Sequence, residues 1–455
     1  MVSVGGDSAW ERPVGLSVRI LIVAKDDRSA GPLADGLDRL GWRTVTARTA
    51  EAGVQALADL EIEAAVVDLA GLDEDAGSIA DTLRAACRPR RLPVVGLAAP
   101  EAPSEGEGFD LVLGGGAHPA QLALRLEQLV RTAVSEEEFE LRGATFAERN
   151  ARLDLPSDAD TPLSVLVVGS PAPQVLALTN AMREIGLDCV GAFTPYTAFD
   201  YLHDRRFDAV VLWGGEDQGE AISIAAGMRR NTRLFHVPTL LYLRRTEDLD
   251  LAEVFGRGIT DVASLETPET ETAQRVAALG RAYRRQSAIR QALENARGSG
   301  LMDASTGLFT RDLFAGHLAR LGSAARERNR PLSVCVLRVA ERPELSQVRG
   351  GGWLDRAMPQ IGSMIARLVR AEDTAARLAS EVFALALPAT PVGHARLVGD
   401  RIAAVIACTA FESGPGRSPF VVEFDVGVAE VHPGESAARA LERAAQASSE
   451  RRAAG

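Results

Sequence analysis

At 455 residues the chain is too long for a single hydrophobic core, and about three domains are expected. An apolar content of 46% and a charged content of 25% are ordinary for soluble globular chains, and a net charge of −12 argues against non-specific binding to duplex DNA, which needs a basic face. No run approaches about 18 uninterrupted apolar residues, so no membrane span is expected. The segment Met1–Leu16 lacks a basic stretch followed by an apolar one and does not read as a signal peptide, which places the chain in the cytoplasm. Cys87, Cys189, Cys335 and Cys408 are too scattered for a disulfide framework or a zinc site, and Cys335 reads as a small buried hydrophobe within an apolar run.

From residue 17 to about 140, apolar β-branched runs alternate with helical patterns. Val18–Ala24 reads as a buried parallel strand. A helix follows, with Leu33, Leu37 and Leu40 on one face and Gly41 as its stop. Next come the strand WRTVTA, the helix AEAGVQALADL, the strands AAVVDL, LPVVGLA and FDLVL, and a last helix, QLALRLEQLVRTAV. Such alternation implies a parallel sheet with helices on both faces. The order and lengths resemble a response-regulator receiver domain. In that family an acidic pair after the first strand holds Mg²⁺, the aspartate ending the third strand accepts phosphate, a Thr or Ser follows the fourth strand, and a Lys follows the fifth. Asp68 falls on the acceptor position. The acidic pair falls on Ala24 and Lys25, with Asp26 and Asp27 just beyond, the Thr/Ser position on Ala98 and the Lys position on Gly114. Mg²⁺ usually takes more than one carboxylate, so a metal site is not expected here. Asp68 is either a phosphoacceptor or a strand-end acid without chemistry.

Residues 163–285 repeat the first domain. LSVLVVGS follows VRILIVAK, NAMREIGLDCV follows DGLDRLGWRTV, and FDAVVLWGG follows EAAVVDLAG. Val23 and Val168, Gly41 and Gly186, and Asp68 and Trp213 all stand 145 positions apart, an offset that argues for a duplicated fold. In this copy the acidic pair is Gly169 and Ser170, the acceptor Trp213, and the Thr/Ser and Lys positions Leu243 and Leu265. It reads as a packing or dimerisation adaptor, with Trp213 either in the core or at an exposed interface. Between the copies, SEEEFELRGATFAERN extends the last helix and a Pro/Asp-rich linker ends at Pro162. After the second copy one long amphipathic helix carries Val276, Leu279, Ala282 and Tyr283 on one face and ends at Gly298. It couples domains, pairs across a homodimer, or is a solvated spacer.

The last domain, 298–455, begins DASTGLFTRDLF and contains RAEDTAARLASEVFALALP, a short loop, a turn and an apolar strand bounded by Pro388. These stretches resemble the GGDEF domain, whose opening reads D-x-L-T-G-L-x-N-R-R-x-F and whose signature is R-x-x-D, five residues, then G-G-D/E-E-F. Asp303, Thr306, Gly307, Leu308, Arg311 and Phe314 match the opening, with Thr310 at the Asn position. The family's metal-binding acids fall on Arg338 and Ala340. GGGWLDRAM replaces G-H-x-x-G-D-x-x-L, keeping Asp355 but putting Gly351 and Leu354 at the His and second Gly. The signature hairpin reads Ala379-Ser380-Glu381-Val382-Phe383, and the C-terminal A-D-x-A-L-Y-x-A-K reads AAQASSERR. The resemblance therefore implies a degenerate cyclase domain that is not an enzyme and holds no Mg²⁺. By contrast Arg370 and Asp373 keep the R-x-x-D that in this family binds cyclic di-GMP, with Arg401 at the position of its second arginine, on a different helix from Arg370. The alternative for Arg370 and Asp373 is an exposed ion pair of little worth.

The fold class expected is α/β: two flavodoxin-like receiver domains followed by a degenerate GGDEF domain. The resemblance implies a cyclic di-GMP effector without catalysis, with Arg370, Asp373 and Arg401 as its ligand site. Effectors of this layout imply delivery of a cell-cycle regulator, CtrA, to the ClpXP protease through the adaptor RcdA at a cell pole. The competing readings are a phosphorylation-driven scaffold working through Asp68 and a residual diguanylate cyclase.

Overall fold

The computed structural model describes residues 19–454 except 71–75, 99–107, 115–116, 157–160, 216–217, 232, 246–250 and 415. Residues 1–18 and residues 157–160 of the Pro/Asp-rich linker thus lie outside the described residues. The chain forms two units: residues 1–133 with 157–286, and residues 134–156 with 287–455. The division expected from sequence is 17–140, 163–285 and 298–455; the second unit joins residues 134–156 and 287–297 to the stretch 298–455.

The first sheet of the first unit contains β1 (Arg19–Val23), β2 (Arg43–Ala47), β3 (Ile62–Asp68), β4 (Val94–Ala98) and β5 (Leu111–Gly114), all parallel, in the order β2-β1-β3-β4-β5. This is the flavodoxin-like doubly wound order. The connecting helices are α1 (Asp27–Arg39), α2 (Ala50–Asp59), α3 (Ala76–Ala86) and α4 (Pro119–Ala147). α2 starts where Thr49, in extended backbone, accepts the Ala52 N–H. Two details differ from the sequence reading. α1 begins before Pro32, which lies inside it, and α3 forms from a segment that no pattern singled out. Its packing against β3 and β4 comes from Ile79, Ala80 and Leu83, too short an apolar set to stand out.

The second sheet repeats the first, with β6 (Ser164–Val168), β7 (Asp188–Ala192), β8 (Ala209–Gly215), β9 (Thr239–Leu243) and β10 (Asp261–Ser264) in the order β7-β6-β8-β9-β10. Its helices are α5 (Pro173–Glu184), α6 (Pro195–Asp204), α7 (Gly219–Arg230), α8 (Leu251–Gly256) and the long α9 (Glu269–Asn295). The duplicated topology accounts for the constant sequence offset. Trp213 is 8% exposed and its ring lies 5.4 Å from that of Tyr242, so it is a core residue rather than an interface anchor.

The third sheet lies in the second unit. It contains β11 (Phe309–Thr310), β12 (Leu332–Val339), β13 (Thr374–Ala379), β14 (Val382–Pro388) and β15 (Phe424–Glu430) in the order β11-β13-β14-β12-β15. Only β11 pairs in parallel. The helices are α10 (Arg311–Glu327), α11 (Pro343–Gly350), α12 (Trp353–Leu368), α13 (Val392–Ala407) and α14 (Ala437–Ala454). β12 is mostly apolar, apart from Ser333 and Arg338, because both its faces are covered. Cys335 and Leu337 join a core with Ile361, Phe383 and Ile402, and Val334 and Val336 join one with Phe314, Ala384 and Ala444. Phe146, from the C-terminal part of α4, is fully buried in the latter core, edge-on to Phe309 at 5.7 Å.

Candidate ligand-binding cleft

The spacing of Arg370 and Asp373 makes a turn. α12 ends at Val369, whose extended backbone stops the helix while its N–H still reaches Ile365. The next four residues close on themselves: Asp373 N–H donates to the Arg370 carbonyl (3.3 Å), and Arg370 N–H donates to Asp373 Oδ2 (2.8 Å). The aspartate thus works first as a clamp on its own backbone. Arg370 lies in the loop after α12, not on a helix as the sequence suggested.

Asp373 is 4% exposed, and its second oxygen, Oδ1, has no hydrogen-bond partner. Burial, with the neighbouring Glu372 adding to it, pushes this carboxyl up to about 6 against the opposing charge of Arg370. The exposed-ion-pair reading therefore fails on both counts: the acid is buried, and it takes the arginine's backbone rather than its guanidinium. Arg370 and Asp373 line one cleft. Its other walls are the end of α9 with the 3₁₀ turn Ala296–Ser299 (Arg290, Leu293, Glu294, Arg297), β11 with the residues before it, and the last turn of α12 (Ser363, Arg367). The lining mixes apolar side chains with several arginines. Arg401, on α13, does not line the cleft. Its Nη2 donates to the Leu368 carbonyl (2.9 Å), two residues before Arg370.

The hairpin between β13 and β14 is regular but differently equipped. Val339 N–H donates to the Glu381 carbonyl, and Arg338 faces Val382 across the ladder. Glu381, the one acid left at the hairpin, is gripped at two points by Arg349, with both contacts at 2.8 Å. In the opening motif, Asp303 accepts from the Thr306 amide and hydroxyl (2.8 and 2.7 Å), and Thr310 caps α10 by accepting from Leu313 N–H. The side chains of Arg451 and Arg452 lie outside the described residues.

In the first unit Asp68 ends β3 at 9% exposure, and its Oδ1 accepts the Ala70 N–H (3.0 Å). Ala98 and Gly114 end the next two strands. Gly114 N–H donates to Glu271 Oε1 (3.3 Å), and a Cβ added at this glycine would meet the same carboxylate at 3.1 Å. An acid therefore stands where the receiver family carries its lysine. Asp26 is exposed, and nothing is described of the Asp27 side chain.

Sequence reasoning missed two buried charge clusters. Asp261 is fully buried beneath Arg275 and Gln121 in the first unit, and Glu138, Arg142 and His317 are fully buried in the second. Glu138 and Arg142 are spaced i, i+4 on a charged helix, and that pattern ordinarily marks a solvated face. Only the large aromatic Phe146 on the same side of α4 hints that the face is covered.

Residues 300–455 match the family model described as Diguanylate cyclase, GGDEF domain. The third sheet and its helices therefore form a GGDEF domain. The sequences described as Response regulator PleD, from two strains of Caulobacter vibrioides, are 22% identical over 221 residues, 49% of this chain and 49% of theirs. The chain spans about half the length of the curated relatives it matches. Among solved structures it is similar to the FimX GGDEF domain of Pseudomonas aeruginosa (20% identity, TM-score 0.32, covering 34% of this chain and 95% of that one). It is also similar to the GGDEF domain of DgcB from Caulobacter crescentus in complex with c-di-GMP (22% identity, TM-score 0.31, 34% and 89%). No helix among the described residues is long and apolar enough to cross a membrane.

Proposed function

We propose that this chain is a cyclic di-GMP-binding effector of response-regulator layout that makes no product itself. The observation that carries the reading is the Arg370–Asp373 turn. Its guanidinium has no hydrogen-bond or ion-pair partner among the described residues, its buried carboxylate has one orphan oxygen, and both line the same cleft. A buried polar atom without a partner is costly unless something fills the gap. The planar arginine fork suits the O6/N7 edge of guanine, and an ionised carboxylate accepts from guanine N–H groups. Arg290, Arg297 and Arg367 add positive charge to the same walls, as a ligand with two phosphates requires. Arg401 supports the turn from behind through Leu368.

Catalytic silence is part of the same proposal. Phosphoryl transfer between nucleotides needs metals held by carboxylates. Arg338 and Ala340 stand at those positions, Ala379 and Ser380 put side chains where close backbone approach to phosphates is needed, and Glu381 is engaged by Arg349. Isothermal titration of the full chain with cyclic di-GMP is expected to give saturable heat at tens of micromolar ligand or below, lost in Arg370→Ala. Absence of heat, unchanged affinity in that variant, or turnover of GTP with Mg²⁺ would reject the reading. The layout also resembles PopA-type effectors, and on that resemblance we propose the partners RcdA, ClpXP and CtrA and a polar location.

A second reading, a phosphorylation-driven scaffold, rests on Asp68 at the carboxyl end of a strand in a flavodoxin-like sheet, where such folds bind their ligands. The Glu271 carboxylate at Gly114 opposes it. Acetyl-phosphate labelling that disappears in Asp68→Asn is the outcome that reading requires. We expect no labelling above that of the variant.

A further inference from the structure

We infer that Arg142 and Glu138 are positioning residues for the Arg370–Asp373 turn, holding it in its ligand-competent shape. This rests on the proposed ligand site but concerns residues far from it in sequence. Arg142 is fully buried, and its Nη2 reaches the carbonyls of Ala371 (3.3 Å) and Asp373 (3.4 Å) and the hydroxyl of Thr374 (3.2 Å). One guanidinium nitrogen thus lies within hydrogen-bond reach of three acceptors on the turn and can serve two of them at a time. Those donors are held in place by Glu138, which accepts from Arg142 Nε at 2.9 Å and lies 2.5 Å from Nη2.

Glu138 is in turn fixed from two further elements. Its Oε1 accepts from the Thr374 hydroxyl (3.1 Å) and from His317 Nε2 on α10 (2.9 Å). His317 is fully buried, and burial holds its ring below its ordinary value, so the neutral tautomer with the proton on Nε2 fits the bond to Glu138. Thr145 Oγ1 lies 3.1 Å from the other ring nitrogen. Two backbone carbonyls of the turn therefore meet a buried, paired guanidinium, while Arg370 and Asp373 line the cleft. Holding the carbonyls of Ala371 and Asp373 restricts the 371–372 and 373–374 peptide planes, which flank the 372–373 plane whose N–H closes the turn on the Arg370 carbonyl.

The test uses the full chain. Glu138→Gln with Arg142→Met removes both charges together and avoids stranding one of them. The double variant is expected to keep its circular dichroism, to bind cyclic di-GMP at least tenfold more weakly in titration, and to show faster hydrogen exchange at the amides of Ala371–Thr374. Leu321→Ala, in the core of the same unit, controls for general loosening: it lowers the thermal midpoint while leaving the dissociation constant within about twofold. Unchanged affinity and unchanged exchange in the double variant would overturn the inference, as would equal weakening by Leu321→Ala. No heat from the wild-type chain would overturn the ligand reading and this inference together, whereas wild-type binding that survives in the double variant removes the inference alone.

Discussion

Asp373→Asn is expected to stabilise the ligand-free chain at pH 7.5 while abolishing cyclic di-GMP binding. The carboxyl is pushed up to about 6, mainly by burial, whereas an unfolded aspartate titrates near ~3.9. A raised carboxyl is a penalty of order 1–3 kcal/mol that is fully present above the folded value and disappears as pH falls from about 6 towards 4. Asparagine carries no charge to bury, and its amide oxygen can still accept the Arg370 N–H that closes the turn. Thermal melts at pH 7.5 and pH 5 check the sign: the variant's advantage should be clear at the higher pH and shrink at the lower. Ligand binding should move the other way. If guanine N–H groups need the ionised acid, wild-type affinity falls by roughly tenfold between pH 7.5 and pH 5. A variant no more stable than wild type at pH 7.5, or wild-type affinity flat across that range, would count against the buried, unsatisfied carboxylate as the heart of the site.

Arg275→Met should destabilise the first unit by about 3–5 kcal/mol, the usual cost of leaving a buried charge without its partner. Asp261, at the start of β10, is fully buried and accepts from Arg275 Nε (3.0 Å) and Nη2 (2.5 Å) on α9 and from Gln121 (2.8 Å) on α4. Burial by itself would raise this carboxyl, but Arg275 and Arg125 together with the hydrogen bonds hold it below the ordinary carboxylate range. Its stabilising contribution is therefore present above the unfolded value and is lost as pH drops through the lower folded one. Denaturant unfolding of the variant at pH 7 gives the magnitude. Pairing Arg275→Met with Asp261→Asn should recover only part of the loss, because Arg125, also buried, then loses the carboxylate beside it.

The parts of this molecule that sequence revealed are those in which a local pattern has one physical cause. Apolar-rich runs such as LSVCVLRV mark strands covered on both faces, and the repeated spacing of Val23 and Val168 marks two sheets of identical order. R-x-x-D was readable because its two ends close on each other across four residues. What stayed hidden depends on partners distant in sequence. Arg142 meets the Asp373 turn across more than two hundred residues, and nothing in SEEEFELR separates a covered charge pair from a solvated one. Arg401 was placed by its position in the family pattern, and only three-dimensional geometry shows it supporting a backbone carbonyl outside the cleft. Arg349 could not be matched with Glu381 from sequence for the same reason.

The second unit is assembled from two separated stretches of chain, and that has a practical bearing on any attempt to excise it. A fragment cut at the apparent start of the third domain would discard Phe146 from beside Phe309 and leave His317 and Thr374 facing an emptied groove. Such a piece would carry the recognisable signature yet lack the strut that shapes its binding turn. An autonomous version of this unit has to stitch residues 134–156 back on to its own body, in cis through a short linker or in trans as a peptide.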